Sequence, residues 1–219
     1  MVVRLSRGLD HSGTARLVEA NRSIDVRIPE CVEDSPDVCI GAAEVTWSAS
    51  QGAPAGLAQL ATMRWNSRDA LYAGALQEGH GATGYSIIAS DVDGDDVEEL
   101  FFLTGRDGGY GGPSYSVYRW SEEQAEWAVS PELSELTVGS TGVFSIDADG
   151  AAAVWFADGC CRRIGERYRL KGGSPELFER RIETLAEGES AVVEVKTETF
   201  ENGNLTGSTI GTEVAGDWK

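Results

Sequence analysis

The chain has 219 residues and a formal net charge of −18, from 36 acidic and 18 basic side chains. This excess of acid argues against nucleic acid and anionic membrane surfaces, which it would repel, and favours a cation or a basic protein as partner. Hydrophobic residues make up 41% of the chain, yet no apolar run reaches the roughly 18 residues of a membrane span, so we expect a folded protein that does not cross a membrane.

The N-terminus and the cysteines bear on the compartment. Residues 1–8 lack the apolar segment of a secretory signal, so the chain is either cytosolic or the mature form of an exported protein. An even number of cysteines favours disulfides and an oxidising compartment, and we therefore expect a periplasmic or secreted protein. The four cysteines allow three pairings: Cys31–Cys39 with the adjacent Cys160–Cys161, or either of two crossed arrangements.

Short runs in which apolar and polar residues alternate recur along the chain and predict strands. In chain order these are Ser23–Ile28, Ala43–Ser48, Leu57–Trp65, Tyr85–Ser90, Glu99–Thr104, Ser114–Trp120, Gly142–Asp147, Ala151–Ala157, Arg163–Leu170, Leu177–Ile182 and Ala191–Phe200. A helical turn is predicted at Pro131–Leu136, and a weaker one at Gly56–Thr62. Many short strands, with 27 glycines in the turns, predict an all-β fold: a barrel, a sandwich or a propeller.

Residues 91–99, here called the acidic loop, contain six carboxylates in nine positions and lead into the apolar run Leu100–Leu103. Such crowded like charges repel, so an ordered loop of this kind needs a cation. Oxygen ligands at alternate positions with a glycine at the bend suit Ca²⁺. The spacing is not that of an EF-hand; it resembles the calcium loops of FG-GAP-type repeats. That resemblance implies side-chain ligands from Asp91, Asp93, Asp95 and Glu99, and a backbone carbonyl from Val97. The alternative is a solvated acidic turn between two strands.

A glycine-rich segment follows, residues 105–115, here called the glycine loop. A tyrosine at such a tip buries a large area at little cost in conformational entropy, so it can anchor a protein–protein contact. We predict that the partner-binding residues are Gly108, Gly109, Tyr110, Gly111, Gly112, Ser114 and Tyr115. Calcium bound next to this loop would hold its base rigid. The alternative is an ordinary hairpin with core aromatic residues at Tyr118 and Trp120.

Two later segments carry weaker signals. Residues 146–150 repeat the start of the acidic loop, but Ala151–Ala153 stand where its later ligands would be. Residues 162–181 are locally basic, which indicates either a docking patch or the solvent face of a hairpin.

Signals for catalysis are missing. The sequence has no G-x-S-x-G and no H-E-x-x-H motif, and its two histidines, His11 and His80, lie in polar surroundings typical of solvated loops. We therefore expect a binding protein and not an enzyme.

Three segments in order resemble a bacterial family of calcium-binding, propeller-like proteins of the periplasm. They are Asp91–Leu100, Tyr115–Leu136 with its two tryptophans and Ser-Pro-Glu-Leu turn, and Gly159–Leu177 with its paired cysteines. Members of this family act as immunity proteins or inhibitors of lysozyme-like peptidoglycan hydrolases, including toxins of antibacterial type IV secretion systems.

The resemblance implies a propeller-like arrangement of short antiparallel sheets and an inhibitor that blocks the active-site cleft of a cationic, lysozyme-like hydrolase. An FG-GAP-like adhesion or carbohydrate-binding module is the alternative. We expect two regions: residues 1–80, an N-terminal β region of open role packed on the rest, and residues 81–219, the calcium-binding region.

Overall fold

The structure is a computed structural model that describes residues 11–17, 22–35, 38–49, 54–66, 72–73, 86–106, 112–138, 145–146, 150–171, 174–185 and 192–214. Within these ranges the chain forms three sheets and one short helix, which confirms the all-β prediction. No closed barrel forms among these residues. The propeller-like arrangement stays a prediction. None of the described helices is long and apolar enough to cross a membrane.

The first sheet is antiparallel. Its strands are β1 (His11–Leu17), β2 (Arg22–Ile28), β3 (Val32–Ser35), β4 (Val38–Trp47) and β5 (Gly56–Asn66). β4 pairs with β2 and β3 along one edge and with β5 along the other. The helical turn predicted at Gly56–Thr62 is wrong, because Ala58 and Leu60 are buried while Leu57 and Gln59 are exposed, which is the two-residue period of a strand.

The second sheet lies between the other two. Its strands are β6 (Tyr72–Ala73), β7 (Ile87–Ser90), β8 (Glu99–Gly105), β9 (Ser114–Ser121) and β10 (Glu126–Val129), in the order β10-β9-β8-β7-β6. On β8, Leu100 and Phe102 pack into a core shared with the first sheet, while Phe101 and Leu103 pack into a core shared with the third. Burial on both faces explains why this strand is a continuous apolar run and does not alternate.

The third sheet is a meander of six antiparallel strands. They are β11 (Ser145–Ile146), β12 (Ala152–Ala157), β13 (Arg162–Lys171), β14 (Ser174–Leu185), β15 (Val192–Glu201) and β16 (Asn204–Val214). The sequence pattern did not predict β16. The division of the chain near residue 80 stays a prediction, and the first core already joins residues on both sides of it, from Ile24 to Tyr118.

The disulfides follow one of the three pairings that the sequence allows. Cys31 is bonded to Cys39, with their Cα atoms 5.3 Å apart, and closes the β3–β4 hairpin. Cys160 is bonded to Cys161 in the exposed turn between β12 and β13. The two crossed arrangements are therefore wrong.

The helix α1 (Pro131–Thr137) confirms the helical turn predicted at Pro131–Leu136. Ser130 caps its N-terminus, where the Leu133 backbone N–H donates to the Ser130 hydroxyl. β10 pairs only with residues 118–121 of β9, so among the described residues the start of β9 has no strand on that side. Two hydroxyls of the helix take the place of one there: the backbone N–H of Tyr115 donates to Thr137 Oγ1 at 2.8 Å, and that of Val117 donates to Ser134 Oγ at 2.9 Å. The helix thereby covers this part of β9.

Replacing Thr137 with valine is expected to destabilise the protein by about 1–3 kcal/mol, because the buried N–H of Tyr115 loses its acceptor. Denaturant unfolding would measure this free energy. The matched control is Thr206→Val on β16, where the hydroxyl is exposed and we expect a change within about 0.5 kcal/mol. Equal effects of the two substitutions would contradict the proposed role of the hydroxyl.

Candidate metal centre

The acidic loop joins the end of β7 to the start of β8 and is folded around the Asp91 carboxylate. The backbone N–H groups of Gly94 and Asp95 donate to Asp91 Oδ1 at 2.7 and 3.2 Å, and that of Asp96 donates to Oδ2 at 3.0 Å. Gly94 and Asp96 have φ angles of +78° and +66°. Glycine adopts such a backbone without strain, and aspartate tolerates it better than most residues.

Three acidic side chains converge inside this loop. Asp91, Asp93 and Glu99 each place one carboxylate oxygen within 4.8 Å of the other two. Glu99 is the first residue of β8, lies opposite Ser90 of β7 and is 2% exposed. Its Oε2 accepts a hydrogen bond of 2.9 Å from the backbone N–H of Val92, which fixes the carboxylate towards the loop.

Asp93 supplies the test of whether a cation fits. Its side chain is only 2% exposed, and neither carboxylate oxygen accepts a hydrogen bond. The Arg119 guanidinium lies 3.7 Å from Asp93 Oδ2, outside hydrogen-bond distance. A buried carboxylate without donors is costly, whereas a bound divalent cation would satisfy it. The donor set of carboxylate oxygens is the set that Ca²⁺ prefers.

The electrostatics of the cluster point the same way. Burial raises the pKa of Glu99 from its ordinary 4.5 to about 8; repulsion from Asp93, Asp95 and Asp91 adds to this, and the Val92 N–H opposes it. Burial, followed by repulsion from Asp95, also raises the pKa of Asp93. Arg119 lowers this pKa, and so does the backbone N–H of Asp95, whose interaction with the carboxylate is too weak to count as a hydrogen bond. Such groups either take up protons or neutralise their charge with a cation.

The structure brings together three of the four predicted side-chain ligands. Asp95 lies outside the convergent group; it is exposed, and its Oδ1 accepts a hydrogen bond of 2.8 Å from the Val97 backbone N–H. The roles of Asp95 and of the Val97 carbonyl therefore stay predictions. When bound, Ca²⁺ would supply charge neutralisation and cross-linking of the loop.

The predicted partner-binding residues divide into two groups. Gly108, Gly109, Tyr110 and Gly111 lie outside the described residues. Gly112, Ser114 and Tyr115 are buried, and Tyr115 packs edge-on against Phe101 with ring centroids 6.2 Å apart. These three belong to the segment that enters β9. Their burial argues against a direct contact, and their role in partner binding stays a prediction.

The acidic loop and the glycine loop lie at opposite ends of β8. The acidic loop enters this strand at Glu99 and the glycine loop leaves it at Gly105, so seven residues of extended chain separate them by about 20 Å. Calcium bound at the acidic loop would therefore not contact the base of the glycine loop at Gly105. Any effect on that loop would have to pass through the stability of β8.

Four arginines of the basic segment in the third sheet form ion pairs with acidic neighbours. Arg162 pairs with Asp158, Arg167 with Glu179, Arg180 with Glu166 and Glu198, and Arg181 with Glu183 and Glu213. The arrangement favours a network across strands over a docking patch for an acidic surface. In the repeated turn, Ala151–Ala153 stand where the later ligands of the acidic loop would be, and all three are buried. The acids of this turn at 147 and 149 lie outside the described residues.

Comparison with known proteins gives one informative match. No protein-family model matches the chain, and no curated protein does either. A solved structure of a Xanthomonas type IV secretion system related protein superimposes with a TM-score of 0.74 and 26% sequence identity, over 90% of this chain and 97% of the other. The chain is therefore similar, in fold over nearly its whole length and more weakly in sequence, to a protein related to type IV secretion.

Proposed function

We propose that this protein is a calcium-stabilised inhibitor or immunity protein that blocks the active-site cleft of a cationic, lysozyme-like peptidoglycan hydrolase, and is not itself an enzyme. The observation that carries the proposal is the likeness to the Xanthomonas protein related to type IV secretion, over 90% of the chain. A protein that neutralises an exported cell-wall toxin would work in the periplasm or outside the cell. The Cys31–Cys39 disulfide supports that location.

Charge supports the choice of partner. The net charge of −18 attracts a basic protein and accelerates its encounter. In the third sheet, ion pairs with glutamates offset the charges of Arg167, Arg180 and Arg181, which reduces the repulsion that such a partner would meet there.

Calcium has a structural role in this proposal. Asp91, Asp93, Asp95 and Glu99 would hold it with their side chains, and Val97 with its carbonyl. The buried Asp93 carboxylate, to which no hydrogen bond is donated, is the observation that supports a bound cation. The ion would stabilise β8, the strand that leads into the glycine loop.

The contact with the hydrolase is proposed for the tip of the glycine loop, Gly108–Gly111, with Tyr110 entering the cleft. Ser114 and Tyr115 are buried and would support this tip from inside. The two strands that flank this segment, β8 and β9, pair with each other as far as Gly105 and Ser114, so both of its ends are fixed.

A turbidity assay tests the proposal. Clearing of a peptidoglycan suspension by cationic lysozyme-type muramidases is expected to slow in proportion to added protein, and Tyr110→Ala is expected to abolish this inhibition. The matched control is Leu205→Ala, which removes an exposed side chain on β16 and should inhibit like the wild type. If Tyr110→Ala inhibits as strongly as the wild type, the glycine loop is not the contact with the hydrolase. Binding of the protein to peptidoglycan itself, with no effect on any hydrolase, would favour a carbohydrate-binding module.

A further inference from the structure

Arg119 reaches the candidate metal centre from outside the acidic loop. It lies on β9, where it is paired with Ala128 of β10, and its Nη2 atom is 3.7 Å from Asp93 Oδ2. The Asp93 side chain is 2% exposed and that of Arg119 is 26% exposed, so solvent screens this pair only partly. Neither Asp93 oxygen accepts a hydrogen bond, and the guanidinium therefore acts on Asp93 through its charge.

We infer that Arg119 is a resident counter-ion of the calcium site, which stabilises the acidic loop without metal and weakens calcium binding when metal is present. The inference rests on the calcium site in the proposed function. It adds a residue that tunes the site without being a ligand.

Arg119 stabilises the metal-free acidic loop because Asp93 is buried. In the metal-free protein, removing Arg119 would leave a buried carboxylate with no compensating charge and only a weak interaction with the Asp95 backbone N–H. Breaking one partner out of a buried pair is strongly destabilising for this reason. The folded acidic loop of the metal-free chain thus depends on Arg119 as well as on the backbone hydrogen bonds to Asp91.

Arg119 weakens calcium binding because it carries a positive charge, as the ion does. A Ca²⁺ ion held by Asp91, Asp93 and Glu99 would lie close to the Arg119 guanidinium, and the two cations would repel each other. In the calcium-loaded protein the metal also neutralises Asp93, so the arginine is no longer needed there. Replacing Arg119 therefore harms the metal-free form more than the loaded form, and by linkage the variant must bind calcium more tightly.

Calorimetric titration of the metal-stripped full-length protein with CaCl₂ tests this inference. Arg119→Gln is expected to bind Ca²⁺ about tenfold more tightly than the wild type. Its metal-free Tm should be lower than that of the wild type, and saturating calcium should remove most of this difference. Arg119→Lys, which keeps the charge, should stay close to the wild type.

Arg162→Gln is the matched control, because it removes the same charge from an arginine on β13 whose partner is Asp158. It should leave the calcium Kd within about twofold of the wild type, since surface charges are screened. If Arg119→Gln does not fold without metal, the rate at which a chelator removes calcium from the loaded, folded protein replaces the Kd. This rate should then be lower than in the wild type, because the repulsion between Arg119 and the ion is gone.

The possible outcomes distinguish a failure of the calcium site from a failure of the counter-ion role of Arg119. If the wild-type protein takes up no calcium, the calcium site and the role of Arg119 are both overturned. If the wild type binds calcium and Arg119→Gln binds it equally or less tightly, only the counter-ion role is overturned. A similar gain in affinity in Arg162→Gln would also overturn it, because the effect would then come from net charge alone.

Discussion

Replacing Asp93 with alanine is expected to weaken calcium binding about 100-fold or more, equivalent to roughly 2.7 kcal/mol, and to abolish the rise in Tm on adding calcium. The reason is that the Asp93 carboxylate is buried and accepts no hydrogen bond. A bound cation would compensate this charge more directly than the charge of any other carboxylate in the loop. Titration calorimetry and thermal unfolding, each with calcium and with a chelator, measure the two effects.

The control for this substitution is Asp96→Gly in the same loop. It also removes one carboxylate, but Asp96 is exposed and lies outside the convergent group, and glycine accepts its φ of +66° without strain. We expect its calcium Kd to change by no more than a few-fold. Equal losses in the two variants would mean that calcium responds to the overall charge of the loop and not to a site built around Asp93.

The fold was predictable wherever burial follows a regular period. In β2, β4 and β5 the alternation of apolar and polar residues in the sequence matches the alternation of buried and exposed side chains in the structure. In β8 the unbroken apolar run matches burial on both faces of the strand. The strand β16 was missed because Thr, Ser and Gly dominate it and nearly all its side chains are exposed, so it has no apolar pattern. Its signal was the Asn202-Gly203 pair, whose φ angles of +49° and +76° form the tight turn that such pairs favour between two strands.

The part of the candidate site that lies within residues 91–99 was predictable from the sequence. Asp91, Asp93 and Glu99 converge because the loop between two paired strands must bend back within a few residues. Arg119 could not be predicted, since it reaches the site only through the pairing of β8 with β9 and has no sequence signal of its own. The glycine-rich surroundings of Tyr115 predict exposure, whereas in the fold Tyr115 contacts Thr137 and Phe101 and is buried.

Without metal, the stability of the protein is expected to fall as the pH rises from about 5 to about 8. Burial raises the pKa of Glu99 from 4.5 in the unfolded chain to about 8 in the folded one, so the folded protein binds more protons in this range. The contribution of Glu99 is therefore greatest below pH 4.5 and is lost as the pH approaches 8. Between these two limits the free energy of unfolding falls by on the order of 4 kcal/mol. Thermal unfolding in a chelator at constant ionic strength measures this trend.

Two comparisons assign the trend to Glu99 and link it to the metal. Glu99→Gln keeps an oxygen that can accept the Val92 N–H but cannot ionise, so its metal-free stability should change little with pH and exceed that of the wild type near pH 8. Saturating calcium should reverse the order of the two proteins, because the metal binds the ionised wild-type glutamate and offsets its burial. The lowered pKa values of Glu198 and Glu213 affect stability only at lower pH, where their ion pairs are lost. A metal-free wild type whose stability stays flat between pH 5 and pH 8 would show that Glu99 is not held in a desolvated site, and the physical case for a cation there would lose its main electrostatic support.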